Sequence, residues 1–482
     1  MRFAAALFVL ALLVIPAFAQ MPRQEGTDAF NLGVLGAEGL PIKKPDEELK
    51  LPRGAVAIKV TKVLEGGPAI EAGLQANDLI VSVGGQFLTT KHMLAVYQLV
   101  AAMEAVSSTK KAETTLTVIR EGKAQILKLK LPALGPHAAN CPTGCGRCEK
   151  LIEDSLKILT GLQDADGAFP IGIGGQNGKV AVSSLAGLAF IANGSTTKEG
   201  PFADNLARAA KWVTEKCGKE DDFGGVERPR GGANWNQTNW SLAYGCLFLC
   251  EIYRLEPTPE LEQRLTEIMQ TIEKNQEASG GWAHGPGGPN ALKYLELQIV
   301  GNFELAALGA LRKVGFKPSQ EVIDKGVAYM ISTSGGDGGI GYSANPGQQG
   351  NGDPGRTALG AWAFGLLGMQ AHPFYAKMGS YFKRTMEDLP NGHVSPIQHY
   401  TRAAFACMHL GTAHWKEFIG IFRLEILAAR RPDGTFSARP TEESVAMHNN
   451  TDRELGPGWT TASYALILQV PKGKLKILTG MK

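Results

Sequence analysis

A polar residue, a glycine four positions later and a large apolar residue two after that recur along the chain. The frame is read at Gln163/Gly167/Phe169, Glu220/Gly224/Val226, Gln276/Gly280/Trp282, Ser334/Gly338/Ile340, Asp388/Gly392/Val394 and Arg430/Gly434/Phe436. The interval is about 55 residues, shorter at the end, and a period of this size means one supersecondary unit repeated. Each frame reads as a helix stop. The helix ends at the polar residue, the glycine takes the left-handed conformation, and the apolar residue folds back onto the last turn.

Between frames lie two helices of different character. Arg147–Leu162, Phe202–Lys216, Pro259–Asn275, Ser319–Ile331, Pro373–Glu387 and Trp415–Arg430 mix charge with an apolar stripe and should lie outside with one wet face. Val182–Ala192, Thr238–Tyr253, Gln298–Lys313, Thr357–Met369, Tyr400–Leu410 and Thr460–Leu468 are apolar and rich in small residues nearly all round, so they should be buried. Strict alternation of this kind closes most naturally as an all-α (α/α)6 toroid over 147–471. An open solenoid has the same periodicity. Residues 472–482 are expected to be a tail.

The chain begins differently. Arg2, an apolar run from Ala4 to Ile15 and Ala17-Phe18-Ala19 are the three parts of a cleavable secretory signal over 1–19, and the run is short for a membrane span. A secreted or periplasmic protein that does not span a membrane is expected. The net charge of +3 gives no reason to expect a nucleic-acid partner. The 59 glycines are about 12% of the chain against a usual ~7%, and the excess lies in the loops of the repeat.

Residues 29–133 read as a small mixed α+β unit. Val56–Val63 alternates as a strand, Asp78–Val83 is another, Lys91–Ala105 is helical, and Thr114–Arg120 with Ala124–Leu131 form a hairpin across Glu121-Gly122-Lys123. The Pro-rich join at Pro132–Pro136 suggests that this unit and the ring fold separately.

This unit resembles a bacterial PDZ domain in Gly66-Gly67-Pro68-Ala69, Ala72-Gly73-Leu74, Asn77-Asp78-Leu79-Ile80 and Val83-Gly84-Gly85. The resemblance implies that a glycine loop, here Asn31-Leu32-Gly33-Val34, presents N–H groups to the C-terminus of a protein or peptide, which adds as a strand beside the next strand and the second helix. Leu32, Gly33, Val34 and His92 are the expected peptide-binding residues. Gly36 and Gly39 make the receiving strand unusually glycine-rich, which weakens it.

The glycine frames at Gln163 and Gln276 resemble the glutamine-to-tryptophan motif of the terpenoid-cyclase and protein-prenyltransferase toroid. The catalytic motifs of those enzymes are not carried over: Asp164-Ala-Asp166-Gly167 lacks the final acid of their Asp-x-Asp-Asp run. The ring's chemistry must therefore be read from the segments entering the inner helices, whose N-termini meet at one mouth. Trp235, Asn239, Trp240, Arg356, Arg402 and Trp459 are the expected mouth residues, and His284, Glu296, His399, Tyr400, His448 and Asp452 are the supply of acid–base groups. Two functions follow. One is an exported binding or scaffolding protein with a peptide module and a ring that takes a glycan or small molecule. The other is a carbohydrate-directed hydrolase or lyase using the mouth. Neither calls for a cofactor.

The linker 134–146 and the residues after it carry His137, Cys141, Cys145 and Cys148. Export favours a disulfide, most simply Cys145 to Cys148, with no metal. A Cys3His zinc site tolerates the same spacing, and an iron–sulfur loop shares part of it. Gly144-Cys145-Gly146-Arg147-Cys148 resembles the Gly-Cys-Gly-Glu-Gln of complement-type thioester domains, but Cys148 replaces the glutamine that would form the thioester. Cys217, Cys246, Cys250 and Cys407 read as helix residues; Cys246 and Cys250 share one helix face, as buried free thiols or, less simply, as a metal pair.

Overall fold

The computed structural model describes residues 29–42, 51–52, 54–89, 94–219, 237–286, 296–393, 395–441, 444 and 450–481. The signal over 1–19, the frame at Glu220/Gly224/Val226, and His92, Trp235 and His448 lie outside the described residues.

Two strands open the described chain, β1 (Phe30–Asn31) and β2 (Ala37–Pro41), followed by β3 (Ile58–Val63), helix α1 (Pro68–Glu71), β4 (Leu79–Val83), β5 (Gln86–Phe87), α2 (Leu94–Ser107), β6 (Glu113–Arg120) and β7 (Lys123–Lys130). They form one sheet in the order β1-β2-β3-β4-β6-β7, with β5 beside β4. The β6–β7 register runs from Glu113↔Lys130 to Arg120↔Lys123. The turn residues Glu121 and Gly122 both have positive φ, at 51° and 74°, as a two-residue hairpin turn requires. Buried Asp78, just before β4, ties that strand to β6 by taking both Nε and Nη2 of Arg120 at 2.7 Å.

Among the described residues, twelve long helices build the ring, with short ones at Thr451–Glu454 and Lys476–Thr479. The outer set is α3 (Gly146–Leu162), α5 (Ala203–Lys216), α7 (Pro259–Lys274), α9 (Gln320–Ser332), α11 (Pro373–Thr385) and α13 (Thr412–Ala429); the inner set is α4 (Gly175–Ala192), α6 (Thr238–Leu255), α8 (Gln298–Lys313), α10 (Pro354–Leu367), α12 (Pro396–Leu410) and α14 (Gly456–Gln469). Each inner helix packs on the next, and α14 returns to pack on α4. That last contact closes an α/α toroid and removes the open solenoid. Every residue of α10 is buried. Small residues set the spacing: a Cβ at Gly309 would lie 2.7 Å from the Cβ of Leu366, where α8 and α10 touch.

The frames hold the outer ring together, though not by the glycine ending the helix. The helix α3 ends before Gln163, and Gly167 lies four residues on, at φ 102°, inside a turn closed by Asp164 and Ala168. There it meets the neighbouring outer helix so closely that a Cβ would sit 2.3 Å from the carbonyl oxygen of Arg208. Gln163 Nε2 donates to the carbonyls of Gly167 (3.1 Å) and Asn205 (3.0 Å), and Gln276 Nε2 repeats this on Gly280 (3.0 Å) and Val322 (2.8 Å). Each glutamine thus ties its own turn to the start of the next outer helix. Gly392 departs from the frame, with φ −57°, because a 3-10 turn over Met386–Asn391 carries the chain on from α11.

The small unit and the ring are not joined by the linker alone: they share one continuous hydrophobic core. The unit docks on α13, so this outer helix has no wet face there. Tyr97 of α2 donates to Glu425 of α13, Arg439 Nη1 reaches Glu425 at 3.2 Å, and Asn31 Nδ2 donates to the carbonyls of Ala428, at 2.8 Å, and Arg430. Nor are the last residues a tail. Leu475 and Leu478 are buried, Trp362 Nε1 donates to the Leu478 carbonyl at 2.9 Å, and buried Glu251 accepts the N–H of Ile477 and Leu478, so Lys476–Thr479 seals the ring opposite its mouth.

Candidate ligand site at the mouth of the ring

After the glycine turns at Gly280 and Gly338 the chain crosses the N-terminus of an inner helix. The carbonyl of His284 accepts the N–H of Asn239 at 3.0 Å, and the carbonyl of Tyr342 accepts that of Gln298 at 3.0 Å. The residues two after the buried Trp282 and Ile340, His284 and Tyr342, come to the mouth. They join first-turn residues of all six inner helices around a cavity of about 220 Å³. Asn177 comes from α4, Trp240 from α6, Ile299 from α8, Arg356 from α10, Gln398 and His399 from α12, and Trp459 from α14.

The aromatic wall is braced from behind. Trp240 Nε1 donates to His284 Nδ1 at 2.7 Å, and Tyr244 lies edge-on to Phe303 (4.6 Å between centroids) and Trp459 (5.8 Å). The Tyr244 hydroxyl accepts from Gln398 at 3.1 Å. Arg402 is buried behind this wall, its guanidinium 4.2 Å from the Phe303 centroid and 5.4 Å from that of Trp240. Its Nε and Nη1 have no hydrogen-bond partner among the described residues. Burial lowers its pKa from the usual range.

His399 is wedged between two helix-entry glycines. A Cβ on Gly355 would fall 1.6 Å from its Nδ1, and one on Gly392 would fall 2.3 Å from its Cδ2. Neither ring nitrogen has a hydrogen-bond partner among the described residues, though Nδ1 is 3.9 Å from Oδ1 of Asp353. Burial, against the pull of Asp353, pushes its pKa down to about 4. Burial, helped by His393, does the same to His284, also to about 4. Burial works against the charge on Asp353, but Arg356 and the N–H groups of Gly355 and Arg356 favour it and hold that carboxyl low. Both histidines are therefore neutral at ordinary pH.

Of the expected residues, Trp240, Arg356, Trp459, His284 and His399 line the cavity. Asp452 stands behind it, accepting from Ser395 Oγ, Ile397 N (3.1 Å) and Trp459 Nε1 (2.8 Å), and burial raises its pKa to about 6. Three residues are corrected. Tyr400 faces away from the mouth to Phe422 and Arg439, because one helix step turns it about 100° from His399. Asn239 is a structural tie, donating to Ala283 O at 2.8 Å and accepting from Asn275. Glu296 sits by Ser279, 3.1 Å from its Oγ, and is no part of the cavity wall. Sequence reasoning missed Tyr342, Tyr244 and Gln398; for the first the signal was its place two residues after the frame's apolar Ile340, matching His284 after Trp282.

The peptide groove of the small unit is engaged by the chain itself. β1 pairs with the outer edge of β2, with Phe30 opposite Gly39 and Asn31 opposite Glu38. The loop of Leu32, Gly33 and Val34 sits on α13 so closely that a Cβ at Gly33 would lie 2.8 Å from the Leu427 carbonyl oxygen. At the linker, Cys141, Cys145 and Cys148 are free, as are the four cysteines of the ring, and the expected Cys145–Cys148 disulfide is not formed. Cys148 turns instead to Cys141, 3.1 Å away, while Cys145 accepts from Ala138 N at 3.4 Å.

A family model described as a domain of unknown function, DUF6288, matches residues 156–480, and a PDZ model matches 59–109. The chain belongs to the DUF6288 family. Its matched segment begins within α3 and takes in the rest of the ring, and the PDZ domain is added before it. Over 116 residues the chain is 37% identical to a probable periplasmic serine endoprotease DegP-like of Pseudomonas putida, a match that covers 24% of the chain and 22% of that relative's length. Among solved structures, an inactive variant of an α-1,6-mannanase of Salegentibacter is similar over 68% of this chain and 99% of its own, at 8% identity and a TM-score of 0.47. A cellobiose 2-epimerase of Bacillus thermoamylovorans covers 66% and 98%, at 12% identity and a TM-score of 0.44. A type II terpene cyclase of Scytonema covers 68% and 96%, at 13% identity and a TM-score of 0.42. Among the described residues no helix is long and apolar enough to cross a membrane.

Proposed function

We propose that this DUF6288 chain is an exported binding protein whose ring mouth takes a neutral saccharide. The supporting observation is the character of the cavity wall. Trp240, Tyr342 and Trp459 offer aromatic surface, while Asn177, Gln237, Gln398 and the neutral imidazoles offer hydrogen bonds. Among the described lining residues there is no carboxylate. The cation Arg356 is turned onto the carbonyls of Ile340 (3.3 Å) and Asn351 (3.2 Å). A cavity of this make-up suits an uncharged ligand with polar edges and an apolar face.

The test is a panel of oligosaccharides titrated against the full chain by calorimetry. Saturable binding lost by at least tenfold in both Trp240→Ala and Gln398→Ala supports the reading. Binding that neither substitution weakens sinks it.

A second reading, a hydrolase or lyase, is favoured by one feature: His399 is neutral, fully buried at the cavity wall and set beside Asp353. It is the ring's best placed general base. New reducing ends or unsaturated products that disappear in His399→Ala would replace the binding reading with this one.

For the PDZ domain, we propose that its service here is to brace the ring through α13. A protein C-terminus adding at β2 would have to displace β1 and lift the Leu32–Val34 loop from Leu427. Fluorescently labelled C-terminal peptides that bind the full chain as tightly as they bind a Tyr97→Ala/Asn31→Ala variant would overturn this.

A further inference from the structure

We propose that His137, Cys141, Cys145 and Cys148 bind one zinc ion, a closed structural site that clasps the PDZ domain to the ring. The inference is independent of what the mouth binds. It begins from geometry: the four donor atoms all lie within 4.8 Å of one another. His137 Nδ1 is 3.6 Å from the sulfurs of both Cys141 and Cys145, and 4.0 Å from that of Cys148. Bonds of about 2.3 Å to sulfur and about 2.0–2.1 Å to nitrogen at tetrahedral angles require N···S edges of about 3.6 Å and S···S edges of about 3.8 Å. Two of the three N···S edges already have that length. The Cys141–Cys148 contact of 3.1 Å is short by about 0.7 Å, a separation two side-chain rotations supply.

The donor set decides the ion. Three thiols and one imidazole are soft ligands that favour zinc over magnesium or calcium, and four protein donors leave no open position, which is the mark of a structural site. The cysteines are buried, and they pack as a small cluster of their own away from the main core.

A second shell is built as well. A metal-bound imidazole characteristically gives its other nitrogen to a carboxylate. Here Nε2 of His137 is 3.3 Å from Oε2 of Glu104, so Nδ1 is the nitrogen left to face the sulfurs. Glu104 is buried and takes Arg147 Nη2 at 2.5 Å, and Arg147 Nη1 reaches the Gly135 carbonyl at 3.0 Å and Ser108 Oγ at 3.2 Å.

These partners come from different parts of the fold. Glu104 and Ser108 belong to α2 of the PDZ domain and its end, His137 and Cys141 to the linker, and Arg147 and Cys148 to the first turn of α3. One ion therefore fixes three segments. The small unit already rests on the last outer helix through Glu425, and the metal would tie it to the first outer helix too.

The test uses full-length protein purified without chelators. Elemental analysis is expected to find one zinc per chain, released in step with modification of three thiols by a mercurial. Cobalt exchanged into the site is expected to show the visible bands of tetrahedral thiolate coordination. Cys145→Ser is expected to abolish binding. Should that variant fail to fold, Glu104→Gln, which keeps all four ligands, is expected to weaken zinc by roughly 10–100-fold, while Cys246→Ser on α6 leaves it unchanged. Zinc absent after loading, whether alkylation finds a Cys141–Cys148 disulfide or three free thiols, overturns the proposal. So does zinc that survives Cys145→Ser.

Discussion

The indole N–H of Trp240 donates to Nδ1 of His284 across 2.7 Å, joining an inner helix to the segment that follows a glycine turn. The bond requires a neutral imidazole with its proton on Nε2. Protonation would set two donors against each other, which agrees in sign with the lowered pKa that burial gives this histidine.

Stability should therefore depend on pH through His284. Its folded pKa of about 4 lies below the ordinary 6.5, so between these values the unfolded chain binds a proton that the folded chain refuses. Its contribution is full above pH 6.5 and is lost as pH falls toward 4, by on the order of a few kcal/mol. Asp452, whose pKa is raised to about 6, pulls the other way, so the informative quantity is a difference. Urea midpoints of the wild type and His284→Gln should converge as pH drops from 7 to 5. Parallel curves would show that His284 is not held neutral.

The helices of the ring were legible because inner and outer sets differ in composition, and the mouth was legible because helix N-termini converge. Which side chains reach it was not. His399 and Tyr400 are adjacent and equally polar on paper, yet one faces the cavity and the other the PDZ interface. The glycine-rich start of the PDZ domain reads as a weakened groove, while its physical reason is close approach. A Cβ at Gly36 would lie 2.6 Å from the Cα of Gly67. Docking onto α13 had no local signal, since it rests on contacts between residues some four hundred positions apart, such as Asn31 and Ala428.

The clamp between outer helices can be measured at Gln276 and Trp282. Trp282 is fully buried, with Nε1 on the Ile272 carbonyl at 2.8 Å, so Trp282→Ala should cost about 3–5 kcal/mol. Gln276→Ala strips donors from two carbonyls and should cost about 1–3 kcal/mol. Denaturant unfolding reads both, and a Gln276→Ala loss near zero would mean that water replaces the clamp freely.

Two arginine pairs offer a contrast in burial. Arg439 and Glu425 are each only 7% exposed at the PDZ interface, so Arg439→Met strands a buried carboxylate and should cost about 3–5 kcal/mol. Arg384 and Asp337 sit at 2.7 Å but are 56% and 52% exposed, so Arg384→Met should cost under about 1 kcal/mol. Similar losses in chemical unfolding would show that the interface is wet in solution.

Two glycine-to-alanine substitutions within helices should differ in sign. Helix propensity alone favours alanine by about 1 kcal/mol. Gly420, on α13, has nothing within 4 Å of where its Cβ would be, so Gly420→Ala should raise stability by up to that amount. Gly355, in the first turn of α10, has ordinary helical backbone too, but its Cβ would fall 1.6 Å from His399 Nδ1. The ring has no room to retreat, because Gly392 presses on its other edge. Gly355→Ala should therefore cost about 1–3 kcal/mol through overpacking, and by moving the imidazole off Asp353 it should also weaken whatever the mouth holds. If both variants shift the unfolding midpoint upward, His399 is not wedged and its place in the cavity wall is wrong.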